Sequence, residues 1–176
     1  METPELHRPF DIVALPESGR AIDIAPNAEE REAIAARLGL VALHDMRLHG
    51  QLRPLRRGFS AMLQGRLTAS VTQSCIVTLD PVDAAVDEEI EVRLLTEAEA
   101  DARSEVEIEA DEDDVEIAEG GVVDVGDVAV QYLALSLDPY PRSPGAAEMP
   151  LPETADEEES SSPNPFAVLK KLKDNA

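Results

Sequence analysis

Residues 42–79 read ALHDMRLHGQLRPLRRGFSAMLQGRLTASVTQSCIVTL. From Ala42 the pattern has a period of two. Ala42, His44, Met46, Leu48 and Leu52 share one face, and Asp45, Arg47, His49, Gln51 and Arg53 share the other. That period belongs to a half-buried strand, here with a basic outer face. Pro54 to Gly58 reads as a turn carrying Arg56 and Arg57. Beyond it Phe59, Ala61, Leu63, Leu67, Ala69 and Val71 lie on one face, against Gln64, Arg66 and Thr68. The two segments predict a hairpin whose outer face and tip carry Arg47, Arg53, Arg56, Arg57 and Arg66. Alternation continues through Cys75, Val77 and Leu79 to Asp80-Pro81, too far for one ordinary strand, so a bend or bulge is expected near Gly65 or Gln73.

Working outward, Leu6 to Leu15 reads as a short strand broken by Pro9, and Arg20 to Ala25 as another. Asn27 with Glu30 three residues on has capping-box spacing, and predicts a helix over Ala28–Leu38 ended by Gly39. Val86, Ile90, Val92 and Leu94 alternate with Asp87, Glu89, Glu91 and Arg93 in a further strand, acidic outside. Residues 97–114 are acid-dense and read as a solvated loop, with a fragment of structure at Val106 and Ile108. Asp124 or Asp127 can cap a helix through Leu137, placing Val125, Val128, Tyr132 and Leu135 on one side; the β-branched valines make a strand the competing reading. The expected fold is α+β: an antiparallel β-sheet with a few short helices. Residues 1–138 would form one domain, 139–163 an acidic, Pro/Ser-rich disordered linker, and 164–174 a short C-terminal helix with Pro165 at its first position.

The chain has 176 residues, a formal net charge of -22, three Phe, two Tyr and no Trp. So few aromatics argue against a base-stacking platform. The charge is divided unevenly. Residues 1–72 hold nine Arg and nine acids; residues 73–176 hold six Lys/Arg and 28 acids. No acid occurs between Asp45 and Asp80, so the arginine stretch is locally +5. A single cysteine, Cys75, excludes an internal disulfide and a Cys-rich zinc site. A reducing cytoplasmic setting, no secretory leader and no membrane span are expected.

Three stretches resemble one family. Cys75-Ile76-Val77-Thr78-Leu79-Asp80-Pro81 is similar to a Cys-x-x-Cys-Leu-x-Pro signature, with Cys75, Leu79 and Pro81 in place and Thr78 where the second cysteine would stand. Asp127 to Leu137, ending VQYLALSLDP, is similar to an aliphatic segment before a proline. Asn164-Pro165-Phe166-Ala167-Val168-Leu169 with Lys170–Lys173 is similar to a Pro-Phe-Ala-x-Leu-x-x-Leu-Lys ending. In order and spacing, over roughly 40–173, they resemble the bacterial YceD (DUF177) family. The resemblance implies a ribosome-biogenesis role in accumulation of large-subunit (23S) rRNA, without a chemical reaction, cofactor or small-molecule substrate.

Each candidate has a plainer alternative. The five arginines suit phosphates, but pairing with the chain's own acids is an equal expectation. Cys75 is expected as a small buried residue beside Val77 and Leu79 rather than a reactive thiol, since no cation adjoins it. His44 and His49 fall on opposite faces of one strand and make no metal pair; His44 is expected at the edge of the core. The acids at Asp111–Asp114 are expected to be solvated rather than to collect Mg²⁺. Pro165, Phe166, Leu169, Leu172 and Lys173 form an amphipathic ending suited to a partner groove or to the chain's own sheet. The function expected first is a non-enzymatic factor contacting precursor rRNA through the basic hairpin. The alternative is an acidic chaperone for a basic large-subunit ribosomal protein. An enzyme ranks third, because no constellation of carboxylates, histidines or metal ligands can be assembled.

Overall fold

The computed structural model describes residues 4–104 and 114–147. The chain divides into two units, Met1–Ser143 and Pro144–Ala176. In the second, Pro144–Ala147 form a single 3₁₀ turn. The first unit is α+β. Its strands are β1 (Pro9–Asp11), β2 (Arg20–Ile24), β3 (Ala42–Arg56), β4 (Ser60–Ser74), β5 (Pro81–Thr96), β6 (Val115–Ala118) and β7 (Val122–Asp124). Its helices are α1 (Ala28–Leu38), α2 (Glu97–Ser104) and α3 (Val125–Ser136). The main sheet has the order β2-β3-β4-β5-β6, antiparallel except for the parallel β5–β6 pair. β1 and β7 pair separately as an antiparallel ribbon.

The expected helix α1 forms with the expected ends. Asn27 Oδ1 accepts from the Glu30 N–H at 2.9 Å while Glu30 Oε2 accepts from the Asn27 N–H at 2.7 Å, and Gly39 closes the helix in the left-handed region at φ 66°. Glu30 also takes both forks of Arg8, and that guanidinium holds its carboxyl below the usual range. α3 is capped by Asp124, whose Oδ1 accepts from the N–H groups of Gly126 and Asp127. This cap decides between helix and strand for a valine-rich segment. The buried face of α3 is Val125, Val128, Ala129 and Leu133; Leu135 is 78% exposed, contrary to expectation.

One face of the main sheet carries the core. Leu43, Met46, Leu48, Leu52, Leu63, Leu67, Val71, Ile90 and Leu94 are buried in one cluster with Leu6, Ile12, Ile34, Val128 and Leu133. The other face, described below, is charged. A two-layer arrangement with one solvated sheet face explains why Val86, Ile90, Val92 and Leu94 are buried along β5 while Asp87, Glu89 and Glu91 between them are exposed.

Three predictions within the long strands need correction. His44 does not join the core. A bulge between Leu43 and Asp45 lets β3 carry one extra residue, so Leu43 packs inward with Met46, and His44 is exposed with Nε2 2.8 Å from Thr72 Oγ1. β4 itself runs unbroken past Gly65; the second irregularity is also in β3, between Pro54 and Arg56. There Pro54 continues the strand instead of opening a turn, and the reversal is Arg57–Phe59, with Phe59 41% exposed. Gly50 and Gly65 stand opposite each other in the register, and a Cβ on Gly50 would lie 2.2 Å from the Gln64 carbonyl, so only glycine allows this approach.

Alternation also misleads after Ser74. β4 ends there, Val77 and Leu79 are exposed, and Cys75–Asp80 form the connection to β5. Residues 97–104, expected as loop, form α2: alternating alanines favour a helix, and Glu97 and Glu99 in the first turn suit its dipole. The rest of the expected acidic loop, with Val106, Ile108 and Asp111, lies outside the described residues.

Candidate nucleic-acid interface

Antiparallel register puts directly opposed residues on one face. Arg47 opposes Thr68, His49 opposes Arg66, and Arg53 opposes Met62, so Arg47, Arg53 and Arg66 share the solvated face. Arg56 closes β3 and Arg57 lies in the turn, which brings all five arginines to one face and its tip.

Four of the five meet carboxylates. Arg47 makes two parallel bonds to Asp23, at 2.7 and 2.6 Å; Arg66 does the same to Asp87, at 2.5 and 2.6 Å. Both pairs are diagonal across neighbouring strands, to β2 and β5 respectively. Each guanidinium holds its carboxylate partner's pKa below the ordinary value and has its own raised. Arg56 reaches Glu99 on α2 at 2.9 Å and lies 4.7 Å over the Phe59 ring. Arg57 meets Glu17 at 3.2 Å. Arg53 donates to Gln51 at 2.8 Å and has no carboxylate in ion-pair range among the described residues. The +5 stretch is therefore largely neutralised in space by acids from outside it. Glu99, on an unforeseen helix, had no sequence signal linking it to Arg56.

These pairs remain open to water. In Arg47–Asp23 the side chains are 57% and 50% exposed, and in Arg57–Glu17 76% and 82%. Exposed pairs contribute little to stability in general, so a phosphate can replace the carboxylate at little cost. The Arg56 pair differs, because its Glu99 is 12% exposed.

Cys75, Leu79 and Pro81 lie at the far end of β4, about 50 Å from the arginine tip at strand rise. The connection is tightly bonded: the Cys75 N–H donates to Asp80 O at 2.8 Å and the Leu79 N–H to Cys75 O at 3.0 Å, with Leu79 at φ 62°. The Ile76 N–H reaches Pro141 O at 3.0 Å, and Gln73 Nε2 donates to Asp138 O at 2.9 Å, so residues just after α3 pack on this turn. Cys75 is buried as expected, but not as an inert apolar group. Its thiol is brought down to about 6 by a Ser143 backbone hydrogen bond first, then by Thr78 and the Val77 N–H. Backbone donors do what a neighbouring cation was not there to do. Thr78, at the position of the second signature cysteine, meets Ser143 Oγ at 3.0 Å.

Residues 63–173 match the family model described as large ribosomal RNA subunit accumulation protein YceD. The chain belongs to this family. The matched span of the YceD model begins inside β4 and includes Arg66, the Cys75 turn, the whole of β5 and α3; Arg47, Arg53, Arg56 and Arg57 precede it. No curated protein and no solved structure gives a significant match. Pro165, Phe166, Leu169, Leu172 and Lys173 lie within the YceD span but outside the described residues. Among the described residues no group of three His, Cys, Asp or Glu side chains is placed to hold a metal ion, and no helix is long and apolar enough to cross a membrane.

Proposed function

We propose that this chain acts as a non-enzymatic assembly factor in large-subunit rRNA accumulation, contacting precursor rRNA through the outer face and tip of the β3–β4 hairpin. The observation that carries this reading is the gathering of Arg47, Arg53, Arg57 and Arg66 on one face and its tip, three with exposed carboxylate partners and Arg53 with no carboxylate in ion-pair range among the described residues. Paired guanidinium forks present a phosphate with the geometry they already offer a carboxylate. The net charge of -22 over the whole chain disfavours indiscriminate binding to nucleic acid. Binding of a large-subunit rRNA fragment across a salt series tests this. Affinity should fall linearly with salt on logarithmic axes and be lost in Arg53→Glu/Arg56→Glu/Arg57→Glu. Unchanged affinity in the triple variant overturns it.

A second reading has its own support. Glu88, Glu89 and Glu91 on β5 are exposed and enter no ion pair among the described residues, and they lie inside the span matched to YceD. An acidic strand of this kind suits a basic ribosomal protein. Absence of rRNA binding in the wild type, with binding of such a protein, would favour it.

A further inference from the structure

β5 is long, and among the described residues its outer edge is covered only at one end. β6 pairs with Arg93–Thr96, and among the described residues nothing pairs with the edge from Pro81 to Val92. The Arg93 N–H donates to Asp114 O at 2.8 Å on the β6 side, while the Thr96 N–H donates to Phe59 O on the opposite side. This fixes the parity. Backbone groups of Asp83, Ala85, Asp87, Glu89 and Glu91 point to the open edge, and those of the intervening residues serve β4. The side chains of the same five stand on the solvated face, and four are carboxylates. The intervening Val86 and Ile90 are buried on the core side.

The sequence just before β6, Asp111-Glu112-Asp113-Asp114, consists of carboxylates alone. Like charges directly opposed destabilise a ladder, so a strand that matches this edge must bring the opposite sign. A second copy would bring the same acids. Open edges are commonly protected by charge; here the charge has one sign and selects the opposite one.

We propose that the Asp83–Glu91 edge of β5 accepts an extended basic segment of a partner protein as an added strand, with Lys or Arg alternating with small or apolar residues. This deepens the second reading above and rests on it. The cations would lie beside Asp83, Asp87, Glu89 and Glu91, and the apolar positions beside Val86 and Ile90. Main-chain bonds would supply affinity and the alternation specificity.

The test uses the full chain and a capped Lys-Val-Lys-Val-Lys-Val-Lys-Val peptide, followed by titration and residue-resolved amide exchange. Binding should slow exchange at Asp83, Ala85, Asp87, Glu89 and Glu91 and leave their even-numbered neighbours unchanged. Ala85→Pro removes an edge-facing N–H and no bond to β4, and should weaken binding by about tenfold or more. The same peptide N-methylated at every second residue keeps its charge and tests the bonds without altering the protein: methylation in the phase whose N–H groups face β5 should weaken binding by about tenfold, and in the other phase it should not. Equal affinity for the methylated peptides, or protection without alternation, overturns strand addition but leaves an acidic surface that binds basic partners. No binding of any peptide overturns both.

Discussion

The arginine face of β3–β4 and the acidic edge of β5 are neighbours in one sheet, yet they treat charge in opposite ways. The arginines come from a stretch with no acid in it, and the fold supplies carboxylates from β2, β5, α2 and the segment before β2. On β5, Asp87 is matched by Arg66, while Glu88, Glu89 and Glu91 find no ion-pair partner among the described residues. A run of like charge in the sequence therefore does not predict a patch of like charge on the surface. What counts is which strands flank the run. β3 and β4 are interior strands with charged neighbours on both sides; among the described residues β5 has a neighbour on one side for most of its length.

The comparison depends on one sheet holding both regions, and the largest effect comes from breaking that sheet. Leu67 is fully buried in β4, between Leu48 on β3 and the Glu88 position on β5. Leu67→Ala should destabilise the fold by about 2–5 kcal/mol, measured by urea unfolding. It should reduce any rRNA binding and any basic-peptide binding together. Loss of only one would mean that the two regions fold independently.

The next effect is at the turn that joins them. In Cys75→Ala the N–H groups of Val77 and Thr78, now 3.4 Å from the sulfur, lose their acceptor. The melting temperature should fall by about 3–8 °C, with Cys75→Ser falling less because its oxygen can accept. The thiol itself should titrate near 6, followed by thiolate absorbance. The sign follows from linkage: a folded pKa below the unfolded value of about 8.5 adds stability that is fully present above pH 8.5 and is lost as pH falls through 6. A midpoint at 8 or above would remove the backbone donors from the account of this signature residue.

Much of this architecture was legible. The capping box of Asn27 and Glu30 sets the start of α1 and Gly39 its end, and each acts locally. The outer faces of β4 and β5 followed from alternation because only one face of the sheet is buried. The bulge at His44 was not read, although Leu43 and Met46, apolar at a spacing of three, were its signal; a strict period of two put His44 inside instead. β6 escaped because it has four residues and pairs in parallel through a crossover, which leaves no turn signature. The arginine candidates were legible as residues, but their partners were not, because Asp23, Asp87 and Glu99 are 21–43 positions away in sequence.

Those partners give the smallest effect on stability and the sharpest use of the comparison. Asp23→Asn/Asp87→Asn removes the carboxylates from Arg47 and Arg66 and leaves both arginines in place. Both pairs are exposed, so the unfolding midpoint at neutral pH should be unchanged within error. Both carboxylates have depressed pKa values in the fold, so whatever they contribute is present above the usual carboxylate range and disappears as pH falls through it. The double variant should therefore show a slightly flatter stability profile below about pH 4. Its effect on binding should be larger. If carboxylate and phosphate compete for the same forks, rRNA affinity at low salt should rise in the double variant, and the gain should shrink as salt is added. An unchanged affinity would mean that the forks of Arg47 and Arg66 are not the contact, and would confine the RNA reading to Arg53, Arg56 and Arg57 at the tip.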